Sequence, residues 1–386
     1  MKLLSVLAAV LLFVTACRKT NEPVSVPVSS NDRKLESCDF GITHFNTVKR
    51  PTVDPGNEKR PQQPQNPPPP PSPSVILIDF DGHIVSNTVW NTNGDIVCTP
   101  ANLTASEQTE VINRVSEDFR PFNVTVTTSE SVYAAGNPYK RMRVIITETW
   151  QWYGQAGGVA YNNSFTWGDN TPCFVFSILL NYNVKKIAEA TSHETGHTLG
   201  LRHQSVYDAN CNKINEYNYG QGTGETGWAP IMGCAYNQNL TTWHYGPSTI
   251  SCSSMQDDAA IIAGIVGYKT DDYSNSITSA TAMAQSAEGI IHKNDVDYLS
   301  VNLTTAATLS ALPFSIGNNL GADLDILLKI YNQSRVLINT INPSEQLSSS
   351  VVLNPGQYYI SVEPTGNANT SVYGIMGKYN LALSAN

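Results

Sequence analysis

The sequence predicts an α/β layer domain followed by a small all-β domain. Between Ser74 and Leu201, strand-like runs alternate with helix-periodic ones, the order that builds a layered sheet-and-helix domain. After about residue 275 the helical patterns stop, and short strand-like runs alternate with Asn, Gly, Pro and Ser, which suits a sandwich. The 386 residues, 41% of them hydrophobic, are enough for two domains and a sizeable core. The formal net charge of −9, with no Lys/Arg cluster, argues against nucleic acid as a partner, because phosphate contacts need concentrated positive charge.

Residues 1–16, MKLLSVLAAVLLFVTA, have one Lys, an apolar run and small residues at the end. That run is too short to span a bilayer and has the form of a secretory signal. Val14-Thr15-Ala16-Cys17 resembles the bacterial lipoprotein box, which implies cleavage before Cys17 and a membrane anchor of acyl chains on that residue. The expected location is therefore the bacterial cell envelope, exported and lipid-anchored, at the outer membrane or cell surface. Residues 17–73 form a tether or a propeptide, and 51–74 are rich enough in Pro to favour an extended spacer. Beyond Cys17 six Cys remain, at 38, 98, 173, 211, 234 and 252. An even number in an exported chain suggests up to three disulfides.

The folded part opens on SVILIDFDG (74–82), a β-type run closed by Asp-Gly. Thr104 to Phe119 reads as a helix, with Thr104 and Glu107 as a capping box and Val111, Ile112, Val115 and Phe119 on one face. Pro121 stops it. The runs 122–128, 141–147 and 173–179 look like further strands. Asn183 to Leu201 has helical composition up to Gly200, a natural stop. In the C-terminal part, 296–303, 324–331, 349–353 and 357–363 are the strand-like runs.

The chemistry sits in HETGHTLGLRH, residues 193–203. On a helix, His193 and His197 are one turn apart on one face, so both imidazoles can reach one Zn²⁺. Glu194 stands beside the first ligand, where it can serve as general base without binding the metal. Gly200 permits the positive φ that breaks the helix, and the turned chain can bring His203 as third ligand. Three protein ligands leave a position open, the arrangement of a catalytic zinc rather than a structural one.

Through this motif the chain resembles the metzincin superfamily of zinc metalloproteases, in which a Met-containing turn follows. Trp228-Ala229-Pro230-Ile231-Met232-Gly233 supplies that turn and places Met232 beneath the ligands. The resemblance spans about 75–265 and is nearest to bacterial secreted metzincins with a DFDG-type strand and WAPIMG. It implies a metzincin-like catalytic domain over 74–270, with a mixed, largely parallel sheet, an active-site helix and an edge strand that aligns the peptide; Gly157–Tyr161 is the candidate for that strand. The implied activity is an exported zinc-dependent endopeptidase acting on protein or peptide substrates, with a monomer expected. The alternative is a cell-surface adhesion lipoprotein whose protease domain is vestigial.

Two departures qualify the resemblance. Astacins and serralysins have Tyr two residues after the Met, where this chain has Cys234. Tyr236 or Tyr245 could stabilise an oxyanion in its place, against a structural role for either. The propeptide Cys context of matrix metalloproteinases is absent around Cys38 (LESCDFG). Cys38 or Asp39 could still cap the zinc, although even Cys parity favours a disulfide for Cys38. His44, His83, His244 and His292 read as ordinary polar residues, and the loop Asp208–Glu216 as a solvated loop rather than a calcium loop.

Residues 285–386 contain Asp295-Val-Asp297-Tyr298-Leu299, Ala322-Asp323-Leu-Asp325 and Asn354-Pro-Gly-Gln-Tyr358-Tyr359. They look like the bacterial pre-peptidase C-terminal domain, a β-sandwich module. That resemblance suggests substrate or glycan adhesion, or a processing segment. Asp295, Asp297, Asp323 and Asp325 are candidates for Ca²⁺, against plain turn-forming roles, which are the preferred expectation.

Overall fold

SVILID folds as β1 (Ser74–Asp79), buried at all of its positions, as a strand covered on both faces requires. The computed structural model describes residues 73–314 and 320–385. The signal, Cys17 and its lipid, the tether up to 72, Cys38, Asp39 and His44 lie outside the described residues. A hairpin of β2 (His83–Val85) and β3 (Ile96–Cys98) follows β1. α1 (Ala105–Asp118) starts at Thr104, whose side chain and that of Glu107 form the expected capping box, and Phe119 is its C-cap. Then come β4 (Val124–Thr127), α2 (Glu130–Ala135), β5 (Arg141–Thr147), β6 (Gly158–Val159), β7 (Cys173–Phe176) and α3 (Val184–Thr198).

These strands make one mixed sheet in the order β4-β1-β5-β7-β6. β1 runs parallel to β4 and β5, and β5 parallel to β7, while the edge strand β6 runs antiparallel. One face packs Ile76, Ile78, Val144, Ile146 and Val175 against Val111 and Val115 of α1 and Ile187 and Ala190 of α3. The other face, with Ile145, Phe174 and Phe176, is covered by the β2–β3 hairpin and by Trp90, Trp150 and Trp152.

Past α3 the chain forms the hairpin β8 (Val206–Tyr207) and β9 (Lys213–Asn215), then β10 (Trp228–Pro230) parallel to β11 (Leu240–Thr242). The hairpin β12 (Tyr245–Pro247) and β13 (Met255–Asp257) leads into α4 (Asp258–Val266). The C-terminal strands are β14 (Thr281–Ala282), β15 (Ser286–Ile291), β16 (Asp297–Leu303), β17 (Ala307–Pro313), β18 (Ile326–Tyr331), β19 (Leu337–Ile341), β20 (Ser349–Leu353), β21 (Gly356–Pro364) and β22 (Gly377–Ala385). They form two sheets, β14-β16-β21-β18-β19 and β15-β22-β17-β20, with Leu299, Leu309, Leu328, Ile360 and Leu381 in a shared core. Trp228 and Leu240 of the first region belong to that same core, and Ala322 bridges Leu240 as an extra strand position. Among the described residues no helix is long and apolar enough to cross a membrane.

The cysteine expectation needs correction. Cys211 and Cys252 are bonded, and Cys234 is disulfide-bonded as well. Cys98 and Cys173 are free and buried. They sit in apolar clusters of the sheet, where a thiol packs as a small hydrophobe, so parity overstated the pairing.

Candidate metal centre

α3 carries the first half of the site. Asn183 caps its N-terminus by accepting from Lys186 N, and Gly200 ends it with φ +96°. Almost every side chain of the helix is buried, polar ones included. Thr191 and Thr195 satisfy their hydroxyls on the carbonyls of Ile187 and Thr191, at 2.8 and 2.7 Å. His193 and His197, which the helix also buries, are aimed at one point.

That point is where His193, His197 and His203 meet. One ligand atom from each lies within 4.8 Å of the others, and the three residues are 0%, 1% and 3% exposed. Each Nδ1 is held from behind. His193 Nδ1 donates to the Ile231 carbonyl at 2.8 Å, and His197 Nδ1 to the Leu201 carbonyl at 2.8 Å. His203 Nδ1 donates to Glu216 Oε1 at 2.9 Å. A carbonyl or carboxylate partner makes Nδ1 the protonated nitrogen, so each ring keeps its lone pair on Nε2. The Nε2 atoms of His197 and His203 are buried with no hydrogen-bond partner among the described residues, an arrangement that is costly unless something binds there.

Electrostatics agree with neutral imidazoles at His193 and His197. Burial first, then the neighbouring His197 and His203, hold His193 well below its usual range. Burial and His203 bring His197 down to about 3. Glu194 is 1% exposed, and burial raises its carboxyl well above the ordinary carboxylate range. Its Oε2 also lacks a hydrogen-bond partner among the described residues.

The surroundings are fitted to these groups at close range. Strand β6 passes over Glu194 so tightly that a Cβ at Gly158 would lie 2.7 Å from Glu194 Cγ. Just past β6, Asn162 Nδ2 donates to the Leu201 carbonyl at 2.7 Å, the same oxygen that orients His197. Met232 is fully buried and lies under α3, where a Cβ at Gly196 would come within 2.5 Å of its sulfur. The turn before it supplies the Ile231 carbonyl to His193. Tyr236 is also buried; its hydroxyl is held well above the usual phenol range by burial and then by Glu194, which places it in the electrostatic neighbourhood of the site. Tyr245 is 46% exposed and packs against Tyr373, ring centroids 5.7 Å apart.

Sequence reasoning missed Glu216, which stood in a loop read as solvated. Burial raises its carboxyl, but hydrogen bonds from His203, Lys213 and Thr249 outweigh that and bring it to about 2. Lys213 Nζ donates to Oε2 at 2.8 Å and Thr249 Oγ1 to Oε1 at 2.7 Å. The Cys211–Cys252 disulfide ties the start of this loop to the segment that holds Thr249. Asp208, at the loop's start, instead binds Asn210 N and Asn212 N at 2.8 and 2.9 Å.

No protein-family model matches the chain, and a search of curated proteins finds no match. Among solved structures, the chain is similar to the pre-peptidase C-terminal domain of a collagenase from Bacillus anthracis, with 15% identity and a TM-score of 0.20, over 27% of this chain and 92% of that one. It is also similar to PliG of Aeromonas hydrophila, a periplasmic lysozyme inhibitor of g-type lysozyme, with 10% identity and a TM-score of 0.19, over 27% of this chain and 96% of that one.

The four Asp of the C-terminal region do not come together. Asp323 accepts from Thr241 Oγ1 at 3.2 Å and Asp325 from Asn367 Nδ2 at 2.8 Å. Asp295 and Asp297 instead join Asp271, Asp272 and His292 in two overlapping triads, Asp271–His292–Asp295 and Asp271–Asp272–Asp297. Asp297 is fully buried, with the Tyr379 hydroxyl as the side-chain donor beside its carboxylate. Burial, with Asp295, Asp272 and Asp271 adding to it and the Tyr379 hydroxyl partly opposing it, pushes Asp297 up to about 8. His292 is therefore no isolated side chain; its Nδ1 bonds Asp295 Oδ2 at 3.1 Å.

Proposed function

We propose that the chain is an exported zinc-dependent endopeptidase of metzincin type, with His193, His197 and His203 as zinc ligands and Glu194 as general base. The observation that carries the proposal is the convergence of three buried imidazoles whose Nδ1 atoms are all committed to acceptors, beside a buried carboxylate. Three neutral nitrogens of one orientation suit zinc, and the Glu216 carboxylate behind His203 is the kind of partner that orients a ligating imidazole. Bound zinc would supply Lewis-acid activation of the scissile carbonyl and of water.

The chain's own residues account for the proton and for substrate placement. Glu194, made more basic by burial, takes the proton of the attacking water and delivers it to the leaving nitrogen. β6 is an edge strand, and an extended peptide adds to such an edge through main-chain hydrogen bonds. That would lay its scissile bond beside Glu194. Tyr236 is the candidate for steadying the oxyanion, and Met232 for the floor beneath the ligands. The disulfide at Cys211–Cys252 supports export to an oxidising compartment, as does the lipoprotein-like Cys17. Calcium, expected from the C-terminal resemblance, would sit among Asp271, Asp272, Asp295 and Asp297 rather than at Asp323 and Asp325.

Glu194→Gln tests the proposal. The variant should bind zinc stoichiometrically yet cleave casein or gelatin at least ~100-fold more slowly than the parent. Undiminished cleavage would remove Glu194 from the mechanism. A parent chain that binds zinc but cleaves nothing in a broad peptide library would favour the adhesion lipoprotein.

A further inference from the structure

Four acidic side chains are buried where the C-terminal sandwich meets the first region: Glu117 at 1% exposure, Asp118 at 5%, Glu189 at 5% and Asp323 at 3%. Buried carboxylates are rare unless partnered, and some of their partners lie across the junction. Glu117 Oε1 accepts from Lys378 N of β22 at 2.6 Å, and its Oε2 from Arg120 Nε at 3.1 Å. Glu189 is paired with Lys185 at 2.9 Å. Asp118, the last residue of α1, accepts from the Ser192 hydroxyl of α3, and its own carbonyl accepts from Trp243 Nε1 at 2.7 Å. Its carboxyl also hydrogen-bonds that of Asp323.

Asp323 is held in turn. Thr241 Oγ1 donates to it at 3.2 Å, and Met376 N donates to its carbonyl at 3.1 Å. Around it, Thr241 N donates to Ala322 O and Ala322 N to Asn239 O, both at 2.8 Å. Two carboxyls in hydrogen-bond contact away from water cannot both be ionised. The protonated Asp323 therefore donates to Asp118, which receives Ser192 on its other side. Burial is the first cause that holds both acids above their usual range.

We propose that Asp323 is a positioning residue for the metal centre: through Asp118 and Ser192 it seats the helix that carries His193, Glu194 and His197. The C-terminal sandwich is then a working part of the centre, not a separable adhesion module or processing segment. Ser192 immediately precedes His193, so a shift of its hydroxyl moves the first ligand. This rests on the reading that the three His bind zinc.

The test uses the full chain and its variants Asp323→Ala, Asp323→Asn, Ser192→Ala and Leu309→Ala. Zinc affinity is measured by competition with a chromophoric chelator, and ligand geometry by the visible spectrum of the cobalt-substituted protein. Asp323→Ala and Ser192→Ala should each weaken zinc binding by about tenfold or more, as loss of an orienting partner does, and both should change the cobalt spectrum. Asp323→Asn, which keeps a donor at the same place, should restore binding to within about threefold of the parent. Leu309→Ala loosens the sandwich core without touching the pair and should leave affinity and spectrum unchanged. Parent-like zinc binding and spectra in Asp323→Ala and Ser192→Ala would overturn the proposal. So would an equal loss in Leu309→Ala, which would mean that any loosening of the domain suffices. Absence of zinc binding by the parent would instead defeat the zinc reading itself, and the proposal with it.

Discussion

The two regions bury opposite things. Strands of the sandwich alternate buried and half-exposed positions, as in β18, and its core is Leu, Ile and Val with a few aromatics. The first region has strands buried at nearly every position, as in β5, and places a helix full of polar groups against them. An aliphatic core contributes stability through the area it removes from water. A buried polar helix contributes little of that kind and is costly wherever a group lacks a partner. The difference teaches where to look for function: in the region whose burial is hardest to justify by stability.

If that contrast holds, substitutions should separate by region. The largest effect on stability is expected from Leu309→Ala in the fully buried sandwich core. It should cost ~2–5 kcal/mol in urea unfolding and leave zinc affinity unchanged. An intact unfolding midpoint would break the comparison. Glu216→Gln should do the reverse: a ~10–100-fold weaker zinc affinity, read by chelator competition, with a small change in stability, since Glu216 is 42% exposed. Zinc binding unaltered by that change would make the His203 contact incidental.

A pH-dependent effect sharpens the contrast by showing where the sandwich departs from it. Asp297 has its folded pKa raised to about 8, above its unfolded value near 3.9. Its stability contribution is therefore fully present below about pH 4 and is lost as pH rises through about 8. With a chelator present, the melting temperature of the parent should fall across this window, and Asp297→Asn should flatten that fall. Added calcium should oppose the fall in the parent, because a cation favours the ionised carboxylate. Equal pH profiles for parent and variant would remove Asp297 from the account.

Local signals in the sequence were legible in detail. Thr104 and Glu107 marked the start of α1 within one residue of where it lies. RMRVIIT matches β5 residue for residue, because its apolar stretch Val144-Ile145-Ile146 is what a strand buried on both faces requires. The apolar run CFVFSIL outlasts its strand: β7 stops at Phe176, and Ser177 to Leu180 turn back, a change of direction that apolar composition does not encode. β17 and β22 escaped notice because Ala, Ser, Thr, Lys and Asn dilute their alternation.

By itself, the sequence determined which three His and which Glu share one helix and its turn, because helical spacing and a glycine stop are properties of eleven consecutive residues. Only the tertiary structure decided what holds them. The Ile231 carbonyl, the Glu216 carboxylate, Gly158 over Glu194 and Asp323 behind Asp118 come from distant stretches of chain, and their roles exist only where the fold brings them within hydrogen-bond or contact distance. The same reason separates Asp295 and Asp297 from Asp323 and Asp325. Side chains two residues apart on an extended chain point to the same face, but loops and strand pairing choose their neighbours, and the neighbours set the chemistry.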